Sequence, residues 1–118
     1  MIERRADGRV EIYAQAQVRR GHEVYVLAVG DVSRKGLFLE ADPAACPDVH
    51  WGETLELLIF APELEAGEVT AQARVVRTDR RVARPGFAVE IVGIDPENLA
   101  RWTALLDAAG RAAETARP

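Results

Sequence analysis

Val69-Thr70-Ala71-Gln72-Ala73-Arg74-Val75 sets apolar side chains on the odd positions and polar ones on the even positions. A period of two sends successive side chains to opposite faces, the pattern of a β-strand with one face on a core. The run continues through Val76-Arg77-Thr78. Upstream, the turn Glu63-Leu64-Glu65-Ala66-Gly67 separates it from a strand over Thr54 to Phe60, which Pro62 closes. Downstream, a polar, arginine-rich turn from Asp79 to Pro85 leads into a last strand from Phe87 to Ile94.

Nearer the N-terminus the same punctuation recurs. Residues 41–52 hold Pro43 and Pro47 and read as a loop. Before it, Leu37-Phe38-Leu39 is a short strand, preceded by a tight connection over residues 30–36. Val24-Tyr25-Val26-Leu27-Ala28-Val29 reads as a strand apolar on both faces. Arg19-Arg20-Gly21-His22-Glu23 reads as a turn, and Val10-Glu11-Ile12-Tyr13-Ala14-Gln15-Ala16-Gln17-Val18 alternates again.

After Ile94 the period changes. Asp95 suits an N-cap, with Pro96 at the first helical position and Glu97 in the first turn. Leu99, Trp102, Leu105, Leu106 and Ala109 recur at steps of three and four, giving one apolar stripe, and Gly110 can end the helix. About six short strands and one C-terminal helix predict an antiparallel barrel or sandwich whose open side the helix covers. Strands and helices do not alternate, which excludes a doubly wound nucleotide fold. The expected organisation is one domain over residues 1–110 and a frayed tail over 111–118.

The composition narrows the function. A net charge of -4 argues against a general nucleic-acid binder, and 6% aromatic residues argue against a base-stacking platform. Yet Arg4, Arg5, Arg9, Arg19 and Arg20 crowd the first twenty residues against only Glu3, Asp7 and Glu11, enough to capture a small anion. The single cysteine, Cys46, excludes an internal disulfide and a cysteine-based zinc site. Met1-Ile2-Glu3-Arg4-Arg5 lacks the apolar run of a signal peptide, and no stretch is long enough to span a membrane. A cytoplasmic domain is expected.

His22 and His50 are the only histidines, and they stand at no metal-ligand spacing. There is no phosphate-binding glycine loop, so catalysis is not expected. Two segments instead point to anion binding. Arg5-Ala6-Asp7-Gly8-Arg9 carries two guanidinium groups on a stretch that Gly8 keeps from being a stable helix. Guanidinium donors match phosphate oxygens in pairs and also bond or stack on guanine. Asp31-Val32-Ser33-Arg34-Lys35-Gly36 suits a turn in which Asp31 and Ser33 accept from backbone N–H groups while Gly36 permits close approach. Asp31 could take guanine's N1 and N2 donors or an arginine.

An R-x-x-x-R arm, two strands, and then D-x-S-x-x-G ahead of a short apolar strand make a more specific pattern together. With Trp51-Gly52-Glu53, Ala73-Arg74-Val75-Val76 and Gly86-Phe87-Ala88-Val89-Glu90-Ile91 in order, the chain resembles the PilZ family of cyclic di-GMP receptors over roughly residues 3–109. The resemblance implies a six-stranded antiparallel β-barrel with a helix at one end, and ligand binding rather than catalysis. It implies that Arg5 and Arg9 grip the phosphates and guanine of cyclic di-GMP, with Arg4 as a third basic contact. Asp31 and Ser33 would contact a guanine, and Gly36 would let the chain pass close beneath it. Two departures bear on affinity: Lys35 stands where the family often has a second glycine, and Asp7 lies inside the arm.

The function expected is a cyclic di-GMP receptor, without a further cofactor, that orders its N-terminal arm on binding and signals through a protein partner. It would be a monomer or weak homodimer that engages neither nucleic acid nor membrane. The competing reading is a protein-interaction module of the same fold that binds no nucleotide, using the helix around Trp102 or the loop around Val49 and Trp51.

Overall fold

The computed structural model describes residues 14–42, 44, 49–61, 67–79 and 85–115. Six strands form: β1 (Ala14–Arg20), β2 (Glu23–Val32), β3 (Gly36–Glu40), β4 (Thr54–Phe60), β5 (Val69–Asp79) and β6 (Gly86–Gly93). They close into a barrel in the order β1-β2-β3-β6-β5-β4, every neighbouring pair antiparallel and β4 returning to β1. Closure removes every sheet edge, so the open side assigned to the helix does not exist.

The alternation in the sequence fills the interior. Ala14, Ala16 and Val18 of β1, Leu55, Leu57 and Ile59 of β4, and Val69, Ala73 and Val75 of β5 all lie in one core. Small residues stand opposite large ones: Ala16 pairs with Leu27 and with Ile59, and Ala73 with Leu55. That pairing lets a narrow barrel close without overfilling its centre. On β2, which the sequence shows as apolar on both faces, the structure exposes Val24 and Val26 by 48% and 62% and buries Leu27 and Val29. The first turn is shorter than expected. Arg19 and Arg20 belong to β1, and only Gly21-His22 remain between the strands, with Gly21 at a φ of 62° that favours glycine.

Two bulges decide which side chains reach the outer wall. Val29 pairs with Leu39 and Asp31 with Phe38, leaving Gly30 as an extra residue in β2. If Gly30 were paired in regular alternation, the inward series Leu27, Val29 would continue to Asp31 and place it in the core. With Gly30 as the extra residue, Val32 takes the inward position and Asp31 turns to the other face. On β5, Val75 pairs with Val89 and Arg77 with Ala88, so Val76 is the extra residue. Val76 and Arg77 are then both exposed, and the arginine is kept out of the core.

The helix α1 runs Pro96–Thr115. Its start is built as the sequence suggests: Asn98 N donates to Asp95 Oδ1 at 2.8 Å and Leu99 N to Asp95 O at 2.8 Å. Asn98 Oδ1 also accepts from Thr70 N at 2.9 Å, tying the cap to β5. Trp102 and Leu105 enter the barrel core and Ala109 is buried, whereas Leu99 is 48% exposed. The helix passes through Gly110 instead of ending there. No helix among the described residues is long and apolar enough to cross a membrane.

Candidate ligand-binding site

The connection between β2 and β3 is tighter than its sequence suggests. Asp31 and Val32 are strand residues and Gly36 opens β3, so only Ser33, Arg34 and Lys35 lie between. Ser33 N donates to Gly36 O at 2.8 Å, and Ser33 Oγ lies 3.5 Å from the same carbonyl. Ser33 therefore donates to a carbonyl where the sequence reading had it accept from an N–H. Ile91 N donates to Lys35 O at 2.7 Å and pins the tip to β6. No described residue other than glycine has a positive φ, so Lys35 occupies ordinary backbone space and the turn does not need glycine there. Gly36 is different. A β-carbon on it would stand 1.9 Å from the Val89 carbonyl oxygen. Its bare α-carbon is what lets β3 and β6 approach.

A cavity of about 530 Å³ opens over this turn and the outer faces of β5 and β6. Its wall is made by Asp31, Ser33, Arg34, Lys35, Gly36, Leu37, Val76, Ala88, Val89 and Glu90. The volume falls in the range of small-molecule sites, about 300–1,000 Å³. Asp31 is 2% exposed and already engaged in another interaction. Arg34 and Lys35 are exposed and form no ion pair among the described residues. Beyond the rim, Arg74 and Arg77 on β5 are likewise exposed, Arg74 opposite Glu90 and Arg77 opposite Ala88. An acidic protein thus gathers four cations on and beside one wall, a local field that attracts anions. A second cavity of about 350 Å³, floored by Ile91, Ile94, Leu99 and Trp102, shares Arg34, Lys35 and Glu90 with the first.

Of the residues singled out in the sequence, Asp31, Ser33 and Gly36 come together on this cavity. Arg4, Arg5 and Arg9 lie outside the described residues. Sequence reasoning missed Val76 and Glu90 as wall residues. The Val75-Val76 doublet that breaks the alternation, and a lone acid inside the apolar run 87–94, were the available signals.

A separate polar cluster holds the corner before β4. Arg20 Nε donates to Glu53 Oε2, and His50 N donates to Glu53 Oε1 at 3.0 Å. Gly52 N donates to Val75 O at 2.7 Å and Val75 N to Glu53 O at 2.9 Å, stitching the corner to β5. Burial pushes the Glu53 carboxyl up, but the Arg20 hydrogen bond, the His50 N–H and the nearby positive charge outweigh it and hold it below its ordinary value. At this corner Val49 is buried and Trp51 is 78% exposed. No group of three or more His, Cys, Asp or Glu among the described residues could hold a metal ion.

The PilZ domain family matches residues 3–108 of the chain. A search of the curated proteins found no match. Among solved structures, the inhibitor of motility MotI/DgrA of Bacillus subtilis superposes with a TM-score of 0.75 at 23% identity, over 98% of this chain and 54% of that one. The PilZ domain of YcgR from Escherichia coli, solved with c-di-GMP, gives a TM-score of 0.70 at 12% identity over 96% of both chains. The complex of MrkH from K. pneumonia with c-di-GMP gives 0.73 at 18% identity, over 98% of this chain and 57% of that one. The chain spans roughly half the length of the MotI and MrkH chains. These structures share its fold, and the family match extends over nearly all the residues that build the barrel, its turn and its helix: the chain belongs to the PilZ domain family.

Proposed function

We propose that the protein is a receptor for cyclic di-GMP rather than an enzyme, and that the ligand occupies the cavity over the β2–β3 turn. The observation that carries this reading is the cavity itself, where D-x-S-x-x-G residues converge under the exposed cations Arg34 and Lys35. Solved proteins of the same fold contain c-di-GMP, which supports the choice of ligand. In this reading Arg34 and Lys35 attract the phosphates. Arg5 and Arg9, with Arg4, close over the ligand as the N-terminal arm orders. The buried Asp31 anchors an arginine, the second of the two roles its chemistry allows, and Ser33 and Gly36 fix the turn beneath the ligand. Ordering an arm opposes binding with conformational entropy, so micromolar affinity is expected.

Isothermal titration calorimetry with cyclic di-GMP tests the reading. Micromolar binding is expected in the wild type, weakened at least tenfold by R34A/K35A and by R5A. No heat at millimolar ligand rejects it.

One observation favours a protein partner as well. Trp51 is 78% exposed on a corner held rigidly by Arg20, Glu53 and β5. Tryptophan is enriched at interface hot spots, and a rigid anchor loses little entropy on docking. Trp102, by contrast, is core and does not serve as a docking residue. A partner that signals the ligand's presence would use Trp51, so W51A is expected to leave ligand binding unchanged and abolish partner binding.

A further inference from the structure

Glu90 places a carboxylate on the wall of an anion-attracting cavity, and nothing in the fold accounts for it. It is exposed on β6 and makes no ion pair among the described residues, although Arg74 is its register neighbour on β5. On its other side stands Gly36, which has no side chain to cover it. Glu90 lines the cavity, and its carboxylate accepts no hydrogen bond among the described residues.

A carboxylate repels phosphate, so it serves only the part of a ligand that carries donors. Guanine's Watson–Crick edge presents N1–H and N2–H side by side, which a carboxylate accepts with both oxygens. Adenine presents a bare N1 lone pair beside its amino group, which sets acceptor against acceptor. Asp31 is the other carboxylate on the wall, but it is 2% exposed and already engaged. Val76, brought outward by the β5 bulge and 39% exposed, adds an apolar surface for a flat base.

We propose that Glu90 is the residue that selects guanine over adenine, by accepting both donors of the guanine edge. This rests on the cavity being the cyclic dinucleotide site.

Titration of the full chain with cyclic di-GMP and with cyclic di-AMP, for wild type, E90Q and E90A, tests it. A bidentate base contact discriminates by roughly 10- to 100-fold, so the wild type prefers cyclic di-GMP by at least that factor. In E90Q the amide oxygen and N–H₂ match adenine's amino group and N1, and the ratio of affinities falls by the same factor. E90A narrows the ratio without favouring adenine. Removing a negative charge strengthens the binding of both ligands' phosphates alike and cancels in the ratio, as does any general change in the barrel. Thermal unfolding confirms that the variants of this exposed residue fold. An E90Q ratio equal to the wild type's overturns the role of Glu90 and leaves the receptor reading standing. A wild type that binds neither ligand overturns both.

Discussion

At position 36 a methyl group would lie 1.9 Å from a backbone oxygen of the neighbouring strand, far inside van der Waals contact. Neither β3 nor β6 can yield easily, because Leu37 and Leu39 on one and Phe87 and Val89 on the other are core residues. G36A is therefore expected to lower the unfolding free energy by about 1–3 kcal/mol, the usual range for overfilling a packed site. Urea unfolding measures it. An unchanged midpoint with weakened ligand binding would mean that the glycine serves the ligand alone. Glu53 makes a second prediction, through pH. Its folded value lies below its ordinary 4.5, so the stability it adds is present above that value and is lost as pH falls through the lower folded one. The ion pair remains partly open to solvent, with side chains 25% and 20% exposed, so E53Q should cost only about 1 kcal/mol at neutral pH. Urea midpoints of the two proteins should converge as the pH is lowered through and below 4.5. A gap that persists in acid would assign the effect to packing instead of charge.

The β2 bulge makes the most demanding prediction at the level of an element. Deleting Gly30 removes the extra residue and makes the pairs Val29–Leu39, Asp31–Phe38 and Val32–Leu37 consecutive, so Asp31 stays on the outer wall and Val32 in the core. The barrel should therefore tolerate the deletion, at a cost within the roughly 0.5–3 kcal/mol of an ordinary substitution. Circular dichroism should show a cooperative melt close to that of the wild type, and a collapsed transition would mean that the extra residue sits elsewhere in β2. The same bulge shows where legibility in the sequence stopped. Period two in residues 14–18 and 69–75 located those strands and their inward faces, since a half-buried strand writes its burial directly into alternation. Alternation cannot tell a barrel from a sandwich, because both bury one face of every strand. The choice of barrel came from the ordered motifs. Gly30 was legible as a break in a strand but not as an extra residue within one, so Asp31 was assigned to a turn. In Val24 to Val29 both faces are apolar, so the sequence carried no signal for which face is inward; Val24 and Val26 stand on the outer wall. At the site, Asp31, Ser33 and Gly36 were legible as a spaced motif. Glu90 was not, since it meets the turn only through the β3–β6 register.

For the molecule as a whole, the distribution of charge matters more than its sum. The net charge of -4 would repel a dianionic nucleotide, while Arg34 and Lys35 at the cavity, with Arg74 and Arg77 beside it, act over the last few ångströms. Screening separates the two. The Debye length falls from about 10 Å at 0.1 M salt to about 3 Å at 1 M, so exposed cations lose reach as salt rises. Affinity for cyclic di-GMP should therefore fall several-fold across that range, and R34A/K35A should bind more weakly and show a flatter salt dependence. Ligand that binds only the folded barrel also raises its stability. At a free concentration about 100 times Kd, the gain is about 2.7 kcal/mol. For a chain of 118 residues that amounts to a rise in Tm on the order of 10 °C. Scanning calorimetry with and without ligand, at low and high salt, reads both effects together. The ligand-dependent rise should shrink with added salt at fixed ligand concentration, because Kd increases while the barrel itself is held mainly by its apolar core. A rise insensitive to salt and unchanged in R34A/K35A would place the ligand somewhere other than the cavity over the β2–β3 turn.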